Sequence, residues 1–136
     1  MISIDPGREK CGVAIVSKAS GVIWKEVIPT ARLAEVVGEL SSINNVTTVV
    51  VGDRTSHTEA LKALAGLTAN GKQLTIIPVD EHRSSDEARS RYWRDHPPRG
   101  LSRLVPLGLQ VPPVPVDDYV AVILAERFFH KCKNKP

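Results

Sequence analysis

The chain has 136 residues, 42% hydrophobic and 24% charged, with two cysteines, few aromatic residues and a formal charge of +3. This is the composition and length of one ordinary globular domain, and it excludes a disordered chain, a collagen and a disulfide scaffold. No run approaches the roughly 18 apolar residues of a membrane span, and Met1-Ile2-Ser3-Ile4-Asp5 meets an acid before a signal-like segment can form. A cytoplasmic setting with reduced thiols and no membrane partner is therefore expected.

Met1 to Asp5 and Gly12 to Val16 are short apolar runs split by Pro6-Gly7-Arg8-Glu9-Lys10, and Gly21 to Ile28 follows Ser20, which predicts three hairpin-connected strands. Leu33, Val36, Val37 and Leu40 recur at helical spacing behind Thr30, which could cap them, so residues 30 to 40 read as a helix. Val46 to Val51 is a β-branched strand, Thr58 to Ala69 is Ala/Leu-rich and reads as helical, and Gln73 to Val79 is again a strand. Strands that alternate with helices in this way make parallel βαβ units. Ser84 or Ser85 can cap a helix running through Arg94, and Val116 to Lys131 closes the chain as an apolar helix. Between them, residues 97 to 115 hold six of the ten prolines, so a long loop without regular structure is expected inside a single domain spanning 1–136.

The positive charge is local. Arg83, Arg89, Arg91, Arg94, Arg99 and Arg103 stand against only Asp86, Glu87 and Asp95. The planar fork of arginine suits phosphate, so this segment points to a nucleic-acid partner, the plain alternative being a solvated helix face. Tyr92 and Trp93, among these arginines, could stack on bases or simply pack, as could Trp24. His57, His96 and His130 show no ligand spacing to a second His or Cys, apart from His130 with Cys132, and read as surface histidines.

Asp5, Asp53, Glu81 and the pair Asp117-Asp118 fall at the ends of elements, where a parallel sheet gathers side chains into a crevice. Each alone has a plain reading as a turn residue, a helix cap or an arginine partner. Together, carboxylates from several elements with no lysine among them make a hard-oxygen site of the kind that holds magnesium, and paired metal ions on such sites cleave phosphodiesters.

Three stretches taken in order sharpen this. They are Ile4-Asp5-Pro6-Gly7 with Cys11-Gly12-Val13-Ala14-Ile15, then Val79-Asp80-Glu81-His82-Arg83-Ser84, then Val116-Asp117-Asp118-Tyr119-Val120-Ala121. The chain resembles the YqgF family of RuvC-like nucleases over nearly its whole length. The resemblance implies a ribonuclease H-like α/β fold, a mixed five-stranded sheet of three antiparallel and then two parallel strands flanked by helices. It further implies a Mg2+- or Mn2+-dependent endonuclease acting on structured nucleic acid, either Holliday junction DNA or the precursor of small-subunit ribosomal RNA, with a homodimer left open. The family's acidic residues fall on Asp5, Glu81 and Asp117, with Asp118 the alternative under the RuvC pattern. Gly52-Asp53-Arg54 stands where the family usually has Gly-Leu-Pro, and because RuvC resolvases carry an acid at that strand end, Asp53 is expected as an added or substitute metal ligand. His82 stands where the family usually has arginine, with Arg83 beside it. Two other readings compete: a nucleic-acid-binding module of the same fold without activity, and the phosphate-binding half of a sugar-kinase or actin-like ATPase. The second needs another domain to close over ATP, and 136 residues leave no room for one.

Overall fold

A computed structural model of the chain describes residues 1–54, 56–106 and 109–133. Three strands, β1 (Ile2–Asp5), β2 (Lys10–Ser17) and β3 (Gly21–Pro29), are followed by helix α1 (Leu33–Asn44), strand β4 (Thr48–Gly52) and helix α2 (His57–Leu64). A small ribbon of β5 (Thr68–Ala69) and β6 (Lys72–Gln73) leads to β7 (Thr75–Val79), α3 (Ser84–Asp95) and α4 (Asp117–Lys133). The main sheet has five strands in the order β3-β2-β1-β4-β7. β1 pairs antiparallel with β2, which pairs antiparallel with β3, while β4 and then β7 add in parallel. This is the mixed sheet expected from the sequence, with β1 at its centre.

Strand periodicity distributes the side chains between two faces. Ile2, Ile4, Val13, Ile15, Val49 and Val51 point to one face and pack with Leu33 and Val37 of α1 and Leu64 of α2. The intervening positions turn to the other face, where Ala14 and Val16 meet Ala121, Val122 and Ala125 of α4. Asp5, Gly12 and Gly52 share this second parity. A third cluster joins α3 to α4 through Ala88, Tyr92, Tyr119, Val120, Ile123 and Leu124.

Three local expectations are corrected. The second helix stops at Leu64, not Ala69, because Gly66 takes φ +79 and Asn70-Gly71 (φ 54 and 79) closes the β5–β6 hairpin. Two consecutive left-handed residues are what the primed turn of a two-residue hairpin requires. Neither Thr30 nor the serines cap a helix: Thr30 Oγ1 donates to Gly7 O at 2.9 Å, and α3 starts behind Arg83, whose φ is 58, with no side chain capping it. The 97–115 loop is not wholly irregular, since Gly100–Leu104 forms a 3-10 turn.

Candidate active site

β1 ends at Asp5, opposite Gly12 of β2. A Cβ on Gly12 would lie 1.8 Å from the Asp117 carbonyl oxygen, so the missing side chain is what lets the N-terminus of α4 rest on the sheet beside Asp5. A second glycine does the same for Glu81. Gly52, at the end of β4, pairs with Val79 of β7, and a Cβ there would fall 1.8 Å from Glu81 Oε1. Two bare strand positions thus admit two carboxyl-bearing segments to the end of the central strands.

Electrostatically, Glu81 and Asp117 both act on Asp5. Burial first, then the neighbouring charges of Glu81 and Asp117 and a hydrogen bond to the Asp117 side chain, push the Asp5 carboxyl from 3.8 up to about 8. Glu81 is also raised, chiefly by burial and by Asp53, against the lowering effects of the Arg54 backbone and side chain and of His57. Glu81 Oε1 is buried with no hydrogen-bond partner among the described residues. An orphaned buried carboxylate oxygen is costly. Acids that among the described residues have no cation beside Asp5 and leave an oxygen of Glu81 unmet offer the donor chemistry of a hard divalent cation. Among the described residues no three Asp, Glu, His or Cys side chains close around one point as a cage. Magnesium does not need one, because it commonly takes one or two carboxylates and completes its shell with water and substrate phosphate. The residues present fit such an ion.

The other acids are used differently. Asp118 Oδ2 receives Lys25 Nζ of β3 at 2.7 Å, its Oδ1 accepts the Tyr119 N–H at 2.9 Å, and the same ammonium sits 4.0 Å from the Tyr119 ring centre. Tyr119 Oη in turn donates to Asp95 Oδ2 at 3.0 Å. Asp118 therefore belongs to a network that fixes the start of α4, whereas Asp117 is the acid coupled to Asp5. Asp53 is exposed, and its Oδ1 accepts the Glu81 N–H at 3.3 Å, which holds the backbone that carries Glu81. Asp80 accepts the His82 N–H at 3.0 Å and shapes the turn after β7.

The six arginines divide. Arg89 pairs with Asp86, and Arg91 reaches both Glu126 oxygens at 2.7 and 2.8 Å. Arg83, Arg94, Arg99 and Arg103 form no ion pair among the described residues and are exposed. Arg83, Arg91 and Arg94 line a cleft of about 690 Å³ along α3, together with Asp86, Glu87 and Glu126. Tyr92 is a packing residue: it is buried, edge-on to Tyr119 and Trp93, and covered by the His96 ring at 4.6 Å.

Five residues have roles that the sequence alone did not signal. Gly12 and Gly52 matter only once strand register is known, and Lys25 lies 93 residues from its partner. His57, expected as a surface residue, binds Gly52 O through Nδ1 at 2.8 Å beside Glu81, while Arg54 reaches the His82 ring at 3.2 Å.

The strand order and the helices on both faces define a ribonuclease H-like fold of the RuvC type. Its match to the structure of Thermus thermophilus RuvC covers 97% of this chain and 95% of that one, with 17% sequence identity and a TM-score of 0.55. The match to T. thermophilus RuvC in complex with Holliday junction substrate covers 98% and 94%, with 16% identity and a TM-score of 0.57. No protein-family model and no curated protein matches the sequence. At these identities the likeness is one of fold.

Proposed function

We propose that the chain is a divalent-metal-dependent endonuclease that cuts phosphodiester bonds in branched nucleic acid by a two-metal mechanism, with Asp5, Glu81 and Asp117 holding the metal. The observation that carries this is the coupling of Asp5 on β1 to Glu81 after β7 and to Asp117 at the start of α4, with Glu81 Oε1 buried and without a hydrogen-bond partner among the described residues. Asp53 would add a donor at the edge of the site, a reading supported by its Oδ1 accepting the Glu81 N–H while Oδ2 takes no hydrogen bond among the described residues. A bound ion would supply Lewis acidity toward the phosphate and a more acidic water at neutral pH.

The chain's own groups have separable tasks. Asp5 holds a proton at neutral pH while the site is empty of cations and would give it up to a bound ion, so that Asp5 and Asp117 together supply the negative charge that holds the ion. Asp53 and Gly52 set the position of Glu81, the first through its backbone N–H and the second by leaving room for its carboxylate. Lys25 and Asp118 hold α4 so that Asp117 faces Asp5. Arg83, Arg94, Arg99 and Arg103 hold phosphates away from the cut, which positions the substrate without reading its sequence.

The solved complex of T. thermophilus RuvC with Holliday junction substrate makes four-way DNA the first substrate to try. The motif resemblance to the YqgF family makes ribosomal RNA precursor the second. A cleavage assay with Mg2+ or Mn2+ on four-way DNA junctions, linear duplex, single strands and precursor rRNA fragments tests the proposal. Metal-dependent cutting of a branched substrate that disappears in Asp5→Asn supports it. Binding without cutting under every metal condition would favour the inactive module.

A further inference from the structure

The loop between α3 and α4 carries a feature that neither the core nor the acidic site explains. Gly100–Leu104 is a 3-10 turn, and Leu101 and Leu104 on it are 85% and 82% exposed. In a 3-10 helix the side chains at i and i+3 eclipse each other, so the two leucines form a single apolar edge. Gly100, with φ +64, starts the turn, and Pro97, Pro98 and Pro106 stiffen the chain on either side. Arg99 and Arg103 flank the edge and are exposed, and the sequence holds no Asp or Glu from residue 96 through 116.

The loop is rooted beside the candidate active site. At one end Asp95 receives the Tyr119 hydroxyl, and at the other Val116 leads directly into Asp117. A stiff apolar edge with cations on both sides and no carboxylate fits a partner that is anionic outside and apolar within. Nucleic acid at a point of weakened stacking has both properties, and proteins that open such steps insert apolar side chains between bases while cations hold the adjacent phosphates.

We propose that Leu101 and Leu104 form a wedge that enters an unstacked base step at a branch point, with Arg99 and Arg103 on the flanking phosphates. The inference rests on the nuclease reading for its partner class and adds to it the structural feature of the substrate that is recognised. Discrimination between branched and linear nucleic acid then comes from the wedge, while the arginines supply affinity common to both.

The test uses a four-way DNA junction with 2-aminopurine at the branch point and a linear duplex of matched sequence, both titrated with protein in EDTA so that nothing is cut. Binding of the unaltered protein to the junction should raise 2-aminopurine fluorescence as the base leaves its stack. Leu101→Ser with Leu104→Ser removes only exposed side chains and should bind duplex within about twofold, lose about tenfold in junction affinity and lose most of the fluorescence rise. Arg99→Ala with Arg103→Ala should weaken both substrates and keep the rise for whatever is bound. A leucine double variant that keeps the full rise, or that weakens duplex and junction equally, overturns the wedge and leaves the nuclease reading standing. So does a variant whose only change is dissociation of a dimer in sedimentation equilibrium, or loss of capture by anionic phospholipid vesicles. If the unaltered protein binds neither substrate, the wedge falls, while the nuclease reading stands or falls on the cleavage assay with metal and on precursor rRNA.

Discussion

A single carboxyl sets the character of the candidate site. Asp5 follows two isoleucines on the central strand, and the strand's alternation turns it toward α4, where burial, Glu81 and Asp117 raise it to about 8. In the unfolded chain its pKa is the ordinary 3.8. A carboxyl that binds its proton more tightly when folded favours the folded state fully below pH 3.8, and that advantage disappears as pH climbs to about 8. In metal-free protein Asp5 should therefore contribute progressively less to the melting temperature between those limits, and Asp5→Asn should remove most of that contribution. At pH 8 without metal the variant should be at least as stable as the parent, while cleavage with Mg2+ falls by orders of magnitude. Melting in EDTA across pH, beside cleavage on the same preparations, checks this; a destabilised but active Asp5→Asn would remove the residue from the site. The neighbouring pair at the start of α4 gives a second contrast. Asp118→Asn breaks a partly buried ion pair and should cost about 1 to 2 kcal/mol with cleavage in the folded fraction retained. Asp117→Asn should do the reverse, and urea unfolding with cleavage on both variants separates the roles.

At the scale of elements, two glycines control how close helix and turn come to the sheet, and their neighbours predict opposite outcomes. An alanine methyl at position 12 meets the backbone of Asp117, which cannot move without shifting α4, so Gly12→Ala should cost about 3 kcal/mol or more. At position 52 the same methyl meets the end of the Glu81 side chain, which can rotate. Gly52→Ala should fold within about 1 kcal/mol of the parent and yet lose metal-dependent activity, because the carboxylate has been displaced. Thermal melts and metal titration on both proteins check the contrast. The same two positions show what a sequence can convey. Strands and helices were legible because apolar periodicity is local, and the sheet order followed from the resemblance that the three short motifs carry, which also proposes Asp5, Glu81 and Asp117 as the site. The closeness of α4 to Gly12 and the capture of Asp118 by Lys25 depend on register and on contacts across most of the chain. The β5–β6 hairpin was missed for another reason: the Ala/Leu run through residue 65 outweighed Gly66 and Asn70-Gly71, although Asn-Gly is itself a strong hairpin signal.

Across the whole molecule, charge is arranged by pairing more than by count. The sequence carries six arginines between residues 83 and 103, but Arg89 and Arg91 are engaged by Asp86 and Glu126, and four remain without an ion pair among the described residues. Only an arginine that meets phosphate releases counterions from the nucleic acid, and each such contact adds about 0.7 to 0.9 to the slope of log affinity against log salt. Arg83, Arg94, Arg99 and Arg103, replaced together by Ala, should therefore flatten the slope by up to about 3.6. Arg89→Ala with Arg91→Ala also removes positive charge and leaves Asp86 and Glu126 uncompensated, so affinity should drop at any one salt concentration. Its slope should nevertheless stay near that of the parent, because no phosphate contact is lost. Affinities of both variants for one DNA duplex, measured from 50 to 300 mM salt, separate the two effects. Equal flattening per arginine in the two sets would mean that the ion pairs on α3 open when nucleic acid binds, and the division drawn here between paired and free arginines would fail.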